Sequence, residues 1–155
     1  MSSNSFALDL RRYVDKYKDD MDKVARTAVI DVGARLIEAS PVGDPSKWKL
    51  PDSAPPGYVG GTFKNSWDMS VEATPTAIYD KPDKTGADST ARIDAAVPGQ
   101  AAGPVYFIAN TQPYAVRLEE GWSHQSPPNA MVGLTVLAWQ QIVDAAVGKV
   151  KEGSS

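Results

Sequence analysis

Leu10, Val14, Tyr17, Met21, Val24 and Ala28 follow one another in alternate steps of four and three residues, and Val32, Leu36 and Ala39 continue the series. That spacing puts all of them on one face of an α-helix. It predicts a single helix over residues 5–39. Asp19 with Lys23, and Asp22 with Arg26, add favourable i,i+4 pairs on the opposite side. Ser3, Asn4 or Ser5 offers an N-cap, and Ser40-Pro41 ends the helix because proline disfavours helical backbone in the residue before it. At about 1.5 Å per residue, such a helix is longer than a domain of this size needs. Its N-terminal half is expected to project and to pack on another subunit.

The chain has 155 residues and 42% apolar content, which suits one domain with a modest core. Its net charge of −3 sets up no general attraction to nucleic acid. There is no cysteine, which excludes disulfides, thiolate nucleophiles and the common structural zinc sites. The lone histidine, His124, leaves little basis for a metal site within one subunit. The N-terminus lacks the apolar run of a signal peptide, and no window is apolar enough to span a membrane. The expectation is a soluble protein made in the cytoplasm.

Residues 40–61 carry Pro41, Pro45, Pro51, Pro55 and Pro56 with Gly57, Gly60 and Gly61, which predicts a long irregular arm. Long loops in compact domains are usually functional or disordered, and Trp48, Leu50 and Tyr58 argue against disorder. Residues 62–72 alternate, with Phe63, Trp67, Met69 and Val71 on one side, as in a half-buried strand. Ala77–Tyr79 reads as a short strand and 81–89 as a polar turn. Residues 90–97 alternate through Ala91, Ile93, Ala95 and Val97; residues 105–110 read as a central strand; Tyr114, Val116 and Leu118 alternate as a last strand. Over 62–119 the short connections imply a mostly antiparallel sheet of three to five strands. Residues 129–151 read as a second helix, with Asn129 as N-cap after Pro127-Pro128. It is apolar on two sides, so one side is expected on the sheet and the other on the N-terminal helix or another chain. The expected class is α+β, with helices on one face of the sheet.

Catalytic chemistry finds little footing. Ser123 and His124 are neighbours, which point to opposite faces on extended backbone; Ser126 or a distant serine could reach His124, but nothing singles one out. No GxSxG turn is present. Glu119 and Glu120 are adjacent and diverge, unlike the facing carboxylates of a glycosidase. The glycines of 57–66 lead into a strand and lack the phosphate-loop pattern. A small hydrolase around His124, or a carbohydrate-binding platform of Trp48, Trp67 and Trp122, are the readings of another class.

Two segments resemble a known family. SPVG at 40–43 followed by GGTFKNSW at 60–67, and YAVRLEEGWSHQSPP at 114–128 leading into a helix, are similar to the paired signatures of the tailed-bacteriophage neck and tail-completion proteins. The residues that match are Gly61, Phe63 and Ser66, then Tyr114, Glu119, Gly121, Trp122 and Pro128. The resemblance implies a structural virion protein of the head–tail junction. It would form a ring of identical copies, commonly six-fold, between the portal-side connector and the tail tube, with DNA passing through the lumen. A tail-terminator ring is the neighbouring assignment. Neither reaction nor cofactor nor metal is implied. The short link of the family signature is expanded here into the proline-rich arm. Trp48, Leu50, Tyr58, Glu119, Trp122, His124 and Trp139 are the expected interface residues, and Gly61, Gly121, Pro127 and Pro128 the expected structural turns.

Overall fold

The computed structural model describes residues 3–154, with side chains described from residue 5. In chain order the elements are helix α1 (Ser3–Ala39), strand β1 (Trp67–Val71), helix α2 (Ala87–Ala96), strand β2 (Tyr106–Asn110), and helices α3 (Ala115–Glu119), α4 (Val132–Leu137) and α5 (Trp139–Gly153). Short 3-10 turns lie at Pro45–Lys47, Pro51–Ser53 and Lys64–Ser66.

The long apolar stripe folds as one helix of 37 residues, about 55 Å at its usual rise. It has two regimes. Every residue from 5 to 19 is exposed. Beyond Asp20 the same face is progressively covered, and Ala28, Leu36 and Ile37 are buried. An N-cap at Ser3 or Asn4 concerns side chains outside those described.

The sheet is smaller than its alternation suggests. Only β1 and β2 pair among the described residues, antiparallel, with Trp67 opposite Asn110, Met69 opposite Ile108 and Val71 opposite Tyr106. A sheet of three to five strands is therefore not formed. Residues 90–97, expected as a strand, lie mostly in α2. Two of their four alternating positions are alanine, a strong helix former, and the buried residues recur at four: Ser89, Ile93 and Val97. Gly33 lets α2 approach α1, since a methyl group there would sit 2.9 Å from Ile93 Cδ1. The expected last strand at 114–118 is α3, where Ala115 and Leu118 pack inward and Val116 stays 68% exposed. Ala77–Tyr79 forms no strand; the Tyr79 carbonyl accepts instead from Ser66 Oγ and Gln112 Nε2. Strand 105–110 is not central; Phe107 on its outer side is partly exposed.

The C-terminal helix is divided at Ala138, and it packs along α1 rather than on the sheet. Ala138, Ile142 and Ala146 meet Val24, Ala28 and Val32 of α1 in one apolar cluster. The main core lies between α1, α2 and the sheet, around Leu36, Ile37, Phe63, Trp67, Met69, Ile93, Val97 and Met131. Asn129 is not the N-cap of α4; it adopts φ 58°, and Met131 stands at the cap position. Among the described residues no helix is long and apolar enough to cross a membrane.

Candidate functional site

The two signature segments, far apart in sequence, form one corner. Ser40 Oγ accepts from Trp67 Nε1 at 2.7 Å and donates to Leu36 O at 2.7 Å, which ties the end of α1 to the start of β1. A methyl group at Gly60 would overlap the Gly43 carbonyl oxygen, so the two ends of the arm touch. Residues 44–59 therefore leave the body and return to the same point, as in an Ω-loop. Gly61, at φ 116°, lies against the backbone of Asp83 and Lys84, where a Cβ would be 2.7 Å from both. The glycines are required there by close approach as well as by backbone conformation.

The arm is held at its base and by its rings. Gln125 Nε2 donates to Val42 O at 2.9 Å, and Asp44 N donates to Gln125 Oε1 at 2.9 Å. Trp48 and Tyr58 meet edge to face at 4.9 Å. Phe63 packs on Tyr114 at 5.9 Å, joining the first signature to the second. Burial, and then the neighbouring Tyr58, push the Tyr114 hydroxyl up to about 12. Leu50 is 71% exposed at the tip of the arm. Trp122 is exposed, with Arg117 and Lys49 placed 5.5 Å and 5.6 Å from its ring.

Glu119 has a structural task that its sequence position does not reveal. Its carboxylate accepts from the backbone N–H groups of Met131, Val132 and Gly133 at 3.3, 3.1 and 2.9 Å. It thus caps α4 from across the corner, where free N–H groups and the helix dipole favour a negative charge. Gly121 turns the chain at φ 80°, and a Cβ there would come within 2.7 Å of the Pro128 ring. Pro127 O accepts from Ala130 N as the chain turns toward α4.

His124 is exposed, and neither Ser123 nor Ser126 bonds to it. Ser123 Oγ accepts from Gln125 N, and the Ser126 hydroxyl is buried without a partner among the described residues. Trp67 is 3% exposed and inside the core, so Trp48, Trp67 and Trp122 do not share a surface platform. The described residues hold no group of three or more metal-ligating side chains.

The sequence reading missed a polar clasp beneath the corner. Arg92 lies over the Tyr79 ring at 3.6 Å and donates to the carbonyls of Asn65 and Trp67 and to Ser89 Oγ. Tyr79 donates to Asp68 Oδ2 at 2.9 Å, and Gln112 donates to Ser66 Oγ at 2.8 Å. No local pattern marks these partners, which join segments up to 46 residues apart. Asp83 was also missed, although DxTGAD has the look of a helix start. It accepts from Thr85 Oγ1 at 2.6 Å and from Asp88 N at 3.0 Å, and these bonds hold its carboxyl well below the usual carboxylate range.

Among the described residues, two larger apolar surfaces remain uncovered. One is the projecting half of α1, where Phe6, Leu10, Tyr13, Tyr17 and Met21 are 45–70% exposed. The other is a groove of about 380 Å³ between α1, β2 and α4–α5, lined by Val32, Leu36, Tyr106, Ile108, Val136 and Trp139. Exposed apolar patches of this extent mark interaction surfaces. The geometry defines an α+β protein with a ring-clasped arm and two bare apolar faces. No protein-family model, curated protein or solved structure matches the chain.

Proposed function

We propose that this protein is a structural subunit of the tailed-phage head–tail junction, a neck or tail-completion ring built from copies of itself. The observation that carries the reading is the convergence of the two signature segments into one corner. Gly43 meets Gly60, Phe63 meets Tyr114, and Gln125 bonds to Val42 and Asp44. Every signature residue except Trp122 then has a structural reason to be there: a close approach at Gly61, a core ring at Phe63, a buried hydroxyl at Ser66, a cap at Glu119, a turn at Gly121 and Pro128. Trp122 is left on the surface beside the arm. In this reading the arm tip and Trp122 contact the adjacent connector or tail-tube layer, and the apolar faces join neighbours in the ring. DNA passes through the lumen without sequence-specific contacts. The tail-terminator layer is the nearest alternative and uses the same surfaces.

The test is composition and shape. Mass spectrometry of purified tailed particles should find the protein at a stoichiometry of several copies per particle. Electron microscopy of the concentrated protein should show closed rings with an open channel. Absence of the protein from purified particles, with the protein confined to the host cytoplasm, overturns the reading.

A further inference from the structure

We propose that the projecting half of α1 of one copy docks into the apolar groove of the next copy, and that this heterologous contact is the ring contact. The inference rests on the self-assembly part of the function proposed above. Its first support is area. Phe6, Tyr13 and Tyr17 are 60–70% exposed, and with Leu10, Val14 and Met21 the bare face offers on the order of 600 Å², against about 800 Å² per partner in a stable interface. The groove supplies the complementary surface.

The second support is continuity. Val24, Ala28 and Val32 continue the same helical face and already pack on Ala138, Ile142 and Ala146 of α5. That cover extends as far as Asp20, where Ser154 Oγ donates to Asp20 Oδ1. The face beyond has the same apolar character and nothing upon it: residues 5–19 are exposed without exception.

The third support is geometric and selects a second copy as the occupant. The groove is lined by Val29, Val32 and Leu36 of α1 itself. Residues 6–21 of one unbroken helix cannot turn back onto residues 29–36 of that helix. The ridge and the groove of one chain therefore cannot satisfy each other. Between copies they can, as an amphipathic helix laid in an apolar groove. A contact that joins two different surfaces repeats from copy to copy and closes when its rotation allows, which makes rings.

The test is sedimentation velocity on the full chain over a wide range of concentration, with two variants. Tyr13→Glu/Tyr17→Glu charges the ridge, and Val136→Glu charges the groove; these positions are 60–70% exposed, so the fold tolerates both changes. The native chain should associate with rising concentration, and each variant should weaken association by about tenfold or more, as loss of a buried anchor does. Mixed together, the two variants should form a one-to-one dimer that grows no further, because one intact ridge meets one intact groove. If Val136→Glu associates like the native chain while the ridge variant does not, the helices pair with each other; the inference falls and the ring reading stands. If the mixture forms no dimer, the inference falls as well. A native chain that is monomeric at every concentration overturns it too. The dimer with the protein absent from purified particles would keep the contact and remove the phage assignment.

Discussion

Gly121 and Asp83 show how single residues hold this fold, and each makes a prediction. Gly121 combines φ 80° with a Pro128 ring that leaves no room for a Cβ. Gly121→Ala should destabilise by about 2 kcal/mol, from left-handed strain plus overlap. Gly57, at φ 75° in open space, is the control: Gly57→Ala should cost about half as much, since only strain is added. Thermal melts of the pair check this; equal costs would show that the Pro128 contact is unimportant. Asp83 caps α2, and its carboxyl titrates below the ordinary value of 3.8. A depressed folded-state pKa stabilises in full above the unfolded value, and that stability is lost as pH falls through the folded one. Between about pH 5 and pH 2 the native chain should therefore lose more stability than Asp83→Asn, which keeps an acceptor but no titrating group. Parallel acid-dependence of the two would refute this role.

Among the elements, the arm and α1 differ in how they depend on the body. The ends of the arm touch at Gly43 and Gly60. Joining these residues after removing 44–59 should preserve the helical circular dichroism signal and a cooperative melt, because α1 and the two-stranded sheet are already tied by Ser40 and Trp67. Loss of cooperative unfolding would show instead that Trp48 and Tyr58 complete the core. In α1, the amides of residues 5–19 should exchange with solvent faster than those of 24–38 in the monomer, since an uncovered helical segment of that length is marginal in water. Mass-resolved hydrogen exchange reads the difference directly. The helix itself was legible from apolar spacing. Its two regimes were expected in outline from its length, but the boundary near Asp20 follows from how far α5 reaches. Residues 90–97 and 114–118 differ from their apparent alternation because so short a run satisfies both the strand and the helix period. α2 and α3 were decided by capping at Asp83 and by which side chains reached the core.

For the whole molecule, the proposed head–tail function would be carried by exposed surfaces that the corner positions. Leu50 and Trp122 are 71% and 55% exposed on neighbouring parts of the corner. Leu50→Asp with Trp122→Ala should leave the melting temperature within about 2 °C of native, as surface changes usually do. If the proposed head–tail role holds, the same double variant should block joining of heads to tails in an assembly reaction. Normal joining would remove the arm tip and Trp122 from the proposed contact between layers. This prediction is independent of the ridge and groove, which lie on α1, β2, α4 and α5 rather than on the arm. The two sets of variants therefore separate the proposed contacts within a ring from the proposed contacts between layers.

What the sequence determined by itself is what near neighbours decide: the long helix from its apolar repeat, its end at Ser40-Pro41, the irregular arm from its prolines, and the turn at Gly121. These depend on steric and hydrophobic terms among residues a few positions apart. The tertiary structure alone decided the size of the sheet, the cap that Glu119 gives to α4, the clasp of Arg92 over Tyr79, and the groove between α1, β2 and α4–α5. Each of these joins residues distant along the chain, and such pairings form only where the packed fold brings a donor to its acceptor or one apolar face beside another.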